Sequence, residues 1–184
     1  TKSIKAVMTE KNIAVTAGMD FFYQAWNHGG SSIPTNRDYF SEGYVLYPNA
    51  KDKELSLQKR AGHSILIVGW DDELEVQTID ETGAKVVDAE GNPVMEKGFF
   101  LFKNSWGTSG FGIRNQFGPG YGWLSYRYVE EYASVYTSDV PKLDMVEDCT
   151  DGKDNNFNNL SDCLDPACAQ HDSCREKGTV FTSG

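Results

Sequence analysis

The sequence predicts an α+β domain that is rich in antiparallel β-structure and is followed by a small cysteine-rich tail. Short apolar runs of strand character alternate with turns that contain Gly, Pro and Asn, and little of the chain favours helix. The composition changes near Pro141, beyond which aromatic residues nearly vanish and Asp, Asn and Cys dominate. We therefore expect one domain at residues 1–140 and a separate tail at residues 141–184.

The strands of the first domain are predicted from short runs of β-branched and aromatic residues. In chain order they are residues 12–17, 44–47, 62–70, 99–103, 120–126 and 133–137. Residues 71–97 form a polar excursion whose two Gly-containing turns predict one or two hairpins inserted between core strands. Residues 128–132 favour a helical turn.

Composition and charge exclude several classes of protein. The hydrophobic content of 39% is enough to build a core, and no run of 18 apolar residues is present, so no transmembrane helix is predicted. The formal net charge is −10. Nucleic acid is therefore not expected as a partner, because binding phosphates requires Lys and Arg. We expect the acidic excess to serve solubility and a cation site near the C-terminus.

All four cysteines of the chain lie in the tail. They are Cys149, Cys163, Cys168 and Cys174. This density predicts disulfide bonds and an oxidising compartment, hence a secreted, extracellular or periplasmic protein. A zinc site is the alternative, although the paired Cys-x2-Cys spacing of common structural zinc sites is absent.

Two apolar runs carry a polar residue that a buried strand has little structural reason to contain. His63 lies near the start of the run at residues 62–70, and Asn104 ends the run at residues 99–103, directly before Ser-Trp-Gly-Thr. A histidine alone in a strand is more often structural, and Asn-Ser-Trp-Gly alone could be a turn. The ordered combination is far more specific, and it continues with Gly-Tyr-Gly-Trp at residues 120–123.

In this order the motifs at residues 10–137 resemble the C-terminal half of a papain-like cysteine peptidase of the C1 family. The resemblance implies the antiparallel β-rich half of a papain-like fold, completed by a separate helical light chain. It implies that His63 is the catalytic base and proton donor and that Asn104 orients the imidazole. Trp106 would shield the His–Asn contact from water, and the carbonyl of Gly62 would face the substrate backbone.

The nucleophile of that family is missing from this chain. The Cys-Gly-x-Cys-Trp signature and the upstream glutamine are absent, and only 62 residues precede His63. We expect that Thr1 follows a cleavage site and that a Cys-bearing light chain from the same precursor supplies the thiolate. The leading hypothesis is a two-chain, secreted cysteine endopeptidase that cleaves polypeptides through an acyl-enzyme without a catalytic cofactor. The alternative is an inactive papain-like binding module that acts through its cleft or tail.

Residues 154–165 place oxygen-bearing side chains at positions 1, 3, 5, 9 and 12 of a twelve-residue frame, with a backbone carbonyl at position 7. This is the spacing of an EF-hand-type calcium loop. The predicted Ca²⁺ ligands are Asp154, Asn156, Asn158, Leu160, Asp162 and Asp165. Asn159 stands where glycine is usual, and asparagine tolerates the left-handed conformation. A flexible acidic linker is the alternative. The segment also resembles Asp/Asn/Cys-rich modules of secreted bacterial proteins.

Overall fold

The computed structural model describes residues 1–137, 146–156 and 159–175, which belong to two compact units, Thr1–Ser138 and Asp139–Gly184. The described part of the first unit is mixed α+β, as the sequence predicts. Its helices are α1 (Lys2–Lys11), α2 (Arg37–Glu42), α3 (Ala50–Gln58) and α4 (Tyr126–Tyr132). Its strands are β1 (Val15–Asp20), β2 (Tyr44–Val45), β3 (Gly62–Gln77), β4 (Met95–Lys103), β5 (Tyr121–Ser125) and β6 (Ala133–Tyr136).

The six strands form one sheet in the order β2-β5-β4-β3-β1-β6. Every neighbouring pair is antiparallel except β2 and β5, which run parallel. The long central strands β3 and β4 are sequential in the chain and pair from Leu66 opposite Lys103 to Gln77 opposite Met95. Antiparallel pairing brings the start of β3 beside the end of β4, and this corner of the sheet carries His63 and Asn104.

Strand β4 is covered on both faces, which explains its uninterrupted apolar sequence. Phe100 and Phe102 enter one hydrophobic cluster, and Phe99 and Leu101 enter a second cluster on the opposite face. All four side chains are at most 8% exposed. Strands with both faces buried lack the polar alternation of half-exposed strands, and complete burial of one such side chain contributes about 1.5–3 kcal/mol to stability.

Strand β3 is instead half-exposed near its start. Ile65 and Ile67 are buried, whereas Ser64 and Leu66 face outward. Because side chains alternate across a strand, His63 shares the inward face of the two isoleucines. It lies at the end of that row, where the core meets the surface.

The expectation of little helix is wrong, because α1 and α3 lack the apolar periodicity from which helices are predicted. Helix α1 buries only Met8, and the buried side chains of α3 are Asp52 and Ser56. Helix α3 is instead stabilised at its N-cap, where the Asn49 side chain accepts a hydrogen bond from the backbone N–H of Asp52. In the described part of the chain, no helix has the length and apolar character required to cross a membrane.

The polar excursion is shorter than predicted, because β3 extends to Gln77 and β4 begins at Met95. Between them lie two tight hairpins, closed by antiparallel bridges between Ile79 and Lys85 and between Val87 and Pro93. The prediction of inserted hairpins is therefore confirmed. Each turn begins with an aspartate whose carboxylate accepts backbone N–H groups two and four residues later, a typical use of aspartate in turns.

The buried carboxylate of Asp52 ties α3 to the loop that follows β1. It accepts hydrogen bonds from the backbone N–H groups of Gln24 at 3.0 Å and Ala25 at 2.8 Å, and from the Ser56 hydroxyl at 2.9 Å. Burial raises the pKa of this carboxyl, and the three hydrogen bonds oppose that effect. The loop that Asp52 holds leads directly to Trp26 and the site at the β3–β4 corner.

We expect Asp52→Asn to lower the free energy of unfolding by about 1–3 kcal/mol, because the amide NH₂ leaves one buried backbone N–H without an acceptor. Urea denaturation monitored by tryptophan fluorescence measures the change. Glu54→Gln on the same helix is the matched control, since Glu54 forms only an exposed ion pair with Lys51. Equal stability of the two variants would contradict the role assigned to Asp52.

Candidate active site

His63 and Asn104 form a direct hydrogen bond at the corner where β3 begins and β4 ends. The distance from His63 Nε2 to Asn104 Oδ1 is 2.9 Å. His63 is half-buried, and Asn104 is 9% exposed. Gly62 precedes the histidine at the exposed start of β3, opposite Asp20 of β1. The pairing of two strands thus brings together residues that are 41 positions apart.

A backbone N–H group determines which ring nitrogen of neutral His63 carries the proton. The N–H of Ser105 donates to the same Asn104 Oδ1 at 2.8 Å, so this amide atom must be the oxygen. His63 Nε2 therefore donates, and the neutral ring keeps its lone pair on Nδ1. Nδ1 forms no hydrogen bond with any described residue and is open to solvent. The free basic atom of the imidazole faces outward.

The position of Asn104 is fixed by its own backbone and by a close approach of two loops. Its N–H donates to the carbonyl of Gly120 at 2.9 Å. Gly120 has φ +85°, and a Cβ there would lie 2.8 Å from the carbonyl oxygen of Gly107. Any larger residue would move the acceptor that holds Asn104. The amide nitrogen Nδ2 of Asn104 is buried without a partner among the described residues, a rare condition that calls for a specific explanation.

Aromatic rings enclose the imidazole on its inner side. The ring centroid of Trp106 lies 4.9 Å from that of His63, with a tilt of 34°. Trp26 lies edge-on at 5.0 Å and Phe21 at 5.8 Å. Trp26 is fully buried and also donates its indole N–H to the hydroxyl of Tyr128 at 3.1 Å. This wall excludes water, which strengthens the bond between His63 and Asn104.

Burial has the largest effect on the protonation of His63 and lowers its pKa. The bond to Asn104 acts in the opposite direction, and the nearby imidazole of His28 adds to the lowering. The folded chain therefore favours a neutral His63. Since the folded pKa lies below the unfolded value, this residue destabilises the fold as the pH falls through the ordinary histidine range.

A shallow hollow of about 310 Å³ lies on the outer face of the sheet beside the His–Asn pair. The side chains of Thr16, Ser64, Leu66 and Lys103 line it together with residues 104 and 105. Its floor is the exposed side of β3, whose inner side carries His63 and Ile65. The hollow offers both apolar and hydroxyl contacts beside Asn104.

All four cysteines form disulfide bonds, which confirms the disulfide prediction. Cys149 pairs with Cys168, and Cys163 pairs with Cys174, so the chain has no free thiol. The bridges connect the described tail elements, the 3₁₀ turns Asp162–Leu164 and Pro166–Cys168 and the helix α5 (Asp172–Arg175). The nucleophile that the resemblance requires is therefore not contained in these 184 residues.

The structure places five of the six predicted calcium ligands, since Asn158 lies outside the described residues. Asn159 adopts φ 70°, and its N–H donates to the Asp154 carboxylate at 2.8 Å. Asp165 is 1% exposed and accepts a hydrogen bond from the backbone N–H of Ala167 at 2.7 Å. Within the described ranges, no three His, Cys, Asp or Glu side chains are gathered as a metal site. The loop thus has the expected backbone turn, and calcium binding stays a prediction.

Sequence reasoning missed Glu147 in the tail and the aromatic wall in the domain. The buried Glu147 carboxylate accepts backbone N–H groups from Asn155 at 2.9 Å and from Asn156 and Asp162 at 3.1 Å. It therefore organises the loop from inside. The signal for the wall was the density of aromatic residues at positions 21–26, which is higher than a surface loop requires.

Comparison with known proteins assigns no function to this site. No family model matches the chain, and no curated protein matches its sequence. The chemistry of the site is therefore argued from His63, Asn104 and the groups around them.

The pKa of His63 should respond in opposite directions to two substitutions of Asn104. Asn104→Ala removes the acceptor that favours the imidazolium, so the pKa should fall, whereas Asn104→Asp adds a negative charge, so it should rise by about 1–3 units. NMR titration of the imidazole Cε1–H resonances measures both changes. His171, which lies in the tail, provides the reference in the same spectra. A pKa that is the same in all three proteins would show that Asn104 does not control the ring.

Proposed function

We propose that this chain supplies the imidazole and the orienting amide of a papain-like cysteine peptidase. The observation that carries the proposal is the bond between His63 Nε2 and Asn104 Oδ1, which leaves Nδ1 as a solvent-facing base. Trp106 covers the pair from one side. A structural histidine would use both ring nitrogens for internal hydrogen bonds, whereas this ring uses one for orientation and keeps the other available.

In the proposed reaction, Nδ1 of His63 takes the proton of a cysteine thiol, and the resulting thiolate attacks the carbonyl carbon of the scissile peptide bond. The imidazolium then gives its Nδ1 proton to the leaving amine, and a thioester remains. Nδ1 next removes a proton from water, which attacks the thioester and releases the acid and the thiol. Asn104 keeps the ring in one orientation, because its Oδ1 accepts the hydrogen bond from Nε2–H throughout.

The lowered pKa of His63 supports a site that is completed by a second lobe. Burial alone favours the neutral ring. A thiolate placed beside Nδ1 would supply the negative charge that makes the imidazolium favourable, by the same opposite-charge effect that raises histidine pKa values beside carboxylates. The ion pair thus forms only where thiol and imidazole meet.

A Cys-bearing light chain from the same precursor is the proposed source of the thiol, because both disulfides are closed. The substrate is a polypeptide, and the hollow beside Asn104 is the proposed half-pocket for one of its side chains. The two disulfides support an oxidising compartment, extracellular or periplasmic. Calcium is proposed only as a structural ion of the tail, and the left-handed turn at Asn159 supports that role.

His63→Ala should abolish peptide hydrolysis in the assembled protein, because the variant lacks Nδ1, the atom that accepts the thiol proton in the proposed reaction. Asn104→Ala should reduce kcat/KM about 10- to 1000-fold, because orientation is only part of the catalytic effect. Steady-state hydrolysis of a fluorogenic peptide measures both. His171→Ala in the tail is the matched control and should retain full activity. Unchanged turnover by the His63 variant would refute the mechanism.

Intact-mass analysis with and without a thiol alkylator should reveal a second polypeptide that gains one label. The chain described here should gain none, because its four cysteines are oxidised. If the sample contains no second polypeptide that gains a label, the inactive binding module replaces the peptidase as the better function.

Chelation should lower the melting temperature of the tail if calcium occupies the loop. Binding stabilises the folded state in proportion to RT ln(1 + [Ca²⁺]/Kd), which is about 2.7 kcal/mol when the ion is present at 100 times Kd. Differential scanning calorimetry with Ca²⁺, with EGTA, and with Mg²⁺ as a control measures the shift. Asp154→Asn should reduce the Ca²⁺ effect. Identical melting in Ca²⁺ and EGTA would favour the acidic linker.

A further inference from the structure

A second imidazole lies against the same aromatic wall as His63. His28 belongs to the loop after β1, and its ring centroid lies 5.5 Å from Trp106 and 5.5 Å from Phe21. The corresponding distances for His63 are 4.9 Å and 5.8 Å. The two imidazoles therefore share both aromatic neighbours. The thiol mechanism uses only His63 and assigns no task to His28.

The loop holds His28 in one orientation and one tautomer. The backbone N–H of Gly30 donates to His28 Nδ1 at 3.0 Å, so the neutral ring carries its proton on Nε2. A Cβ at Gly30 would lie 3.0 Å from Nδ1 and 3.3 Å from the ring of Tyr23, so a side chain at this position would crowd the imidazole. Nε2 reaches solvent and bonds to no described residue. If Nδ1 were protonated, two N–H groups would face each other, and the hydrogen bond from Gly30 would be lost.

The two imidazoles are close enough to influence each other electrostatically. Because each ring contacts Trp106, their centroids are no more than about 10 Å apart, a distance at which two charges in a partly buried site still repel. The positive charge of His28 lowers the pKa of His63, in the same direction as burial. Protonation of one ring thus opposes protonation of the other.

Other charged groups lie near the two rings, and a substitution at His28 leaves all of them in place. Asp20 at the end of β1 is the nearby carboxylate, and it pairs with Arg60 at 3.5 Å. Lys59 adds a further positive charge, since its ammonium lies 3.4 Å from a carbonyl oxygen of the His28 loop. Tyr23 donates a hydrogen bond from its hydroxyl to the Lys59 carbonyl oxygen at 3.2 Å. The buried carboxylate of Asp52, which accepts the N–H groups of Gln24 and Ala25 in the same loop, is a further acidic group on this side of the site.

We infer that His28 is a positioning residue of this site, which supports Trp106 beside His63 while neutral and opposes the imidazolium form of His63 once protonated. The consequence for catalysis depends on the proposed function. A thiolate–imidazolium pair needs the positive charge on His63, so a second positive charge on His28 would oppose that pair.

NMR titration of His28→Asn tests the inference without a thiol or a substrate. The Asn oxygen can accept the Gly30 N–H in place of Nδ1 but cannot carry a charge. We expect the titration midpoint of His63 to rise by about 0.3–1.2 pH units, the repulsion of two charges about 10 Å apart at an effective dielectric constant of about 20–80.

His171→Asn is the matched control, because His171 also uses Nδ1 locally, 2.7 Å from the Ser173 hydroxyl. It should leave the His63 midpoint unchanged. An unchanged or lower His63 midpoint in a folded His28→Asn protein would overturn the inference. If that variant fails to fold, His28→Gln replaces it, and an unchanged or lower His63 midpoint in the folded Gln variant would overturn the inference as well. Either result leaves the peptidase proposal standing, and loss of the peptidase proposal leaves the measured coupling intact.

Discussion

The antiparallel pairing of β3 with β4 is the constraint on which the rest of the domain depends. β4 is buried on both faces, so its position in the sheet is fixed by two hydrophobic clusters at once. A shift of one residue in its register would turn every side chain to the opposite face. The same register that satisfies the core therefore also places Asn104 beside His63. Stability of the core and geometry of the site are set by one interaction.

The site itself combines a rigid half with an open half. Backbone donors and acceptors fix the amide of Asn104, and the amide in turn fixes Nε2 of His63. The aromatic wall removes water from this inner side. Nδ1 faces outward, and the chain provides no thiol to meet it. The orientation of the imidazole is thus built into these residues, whereas the peptidase that we propose needs a thiol from outside them.

The parts predicted from sequence were those in which a polar residue interrupts an apolar strand, as at His63 and Asn104. Disulfides in the tail were predictable from cysteine density, although their pairing was not. Helices α1 and α3 were missed because they bury little apolar surface and are held by polar contacts such as those of Asp52. The periodicity of apolar residues cannot predict a helix whose buried side chains are hydrophilic.

The sequence by itself determined the α+β class, the strand order along the chain and the two residues that meet at the corner, because these follow from local patterns. Only the tertiary structure decided which imidazole nitrogen is free, which aromatic rings surround it and that His28 shares its wall. These features depend on contacts between segments distant in sequence. Such contacts are selected by packing and hydrogen-bond geometry, which residue patterns along one segment do not encode.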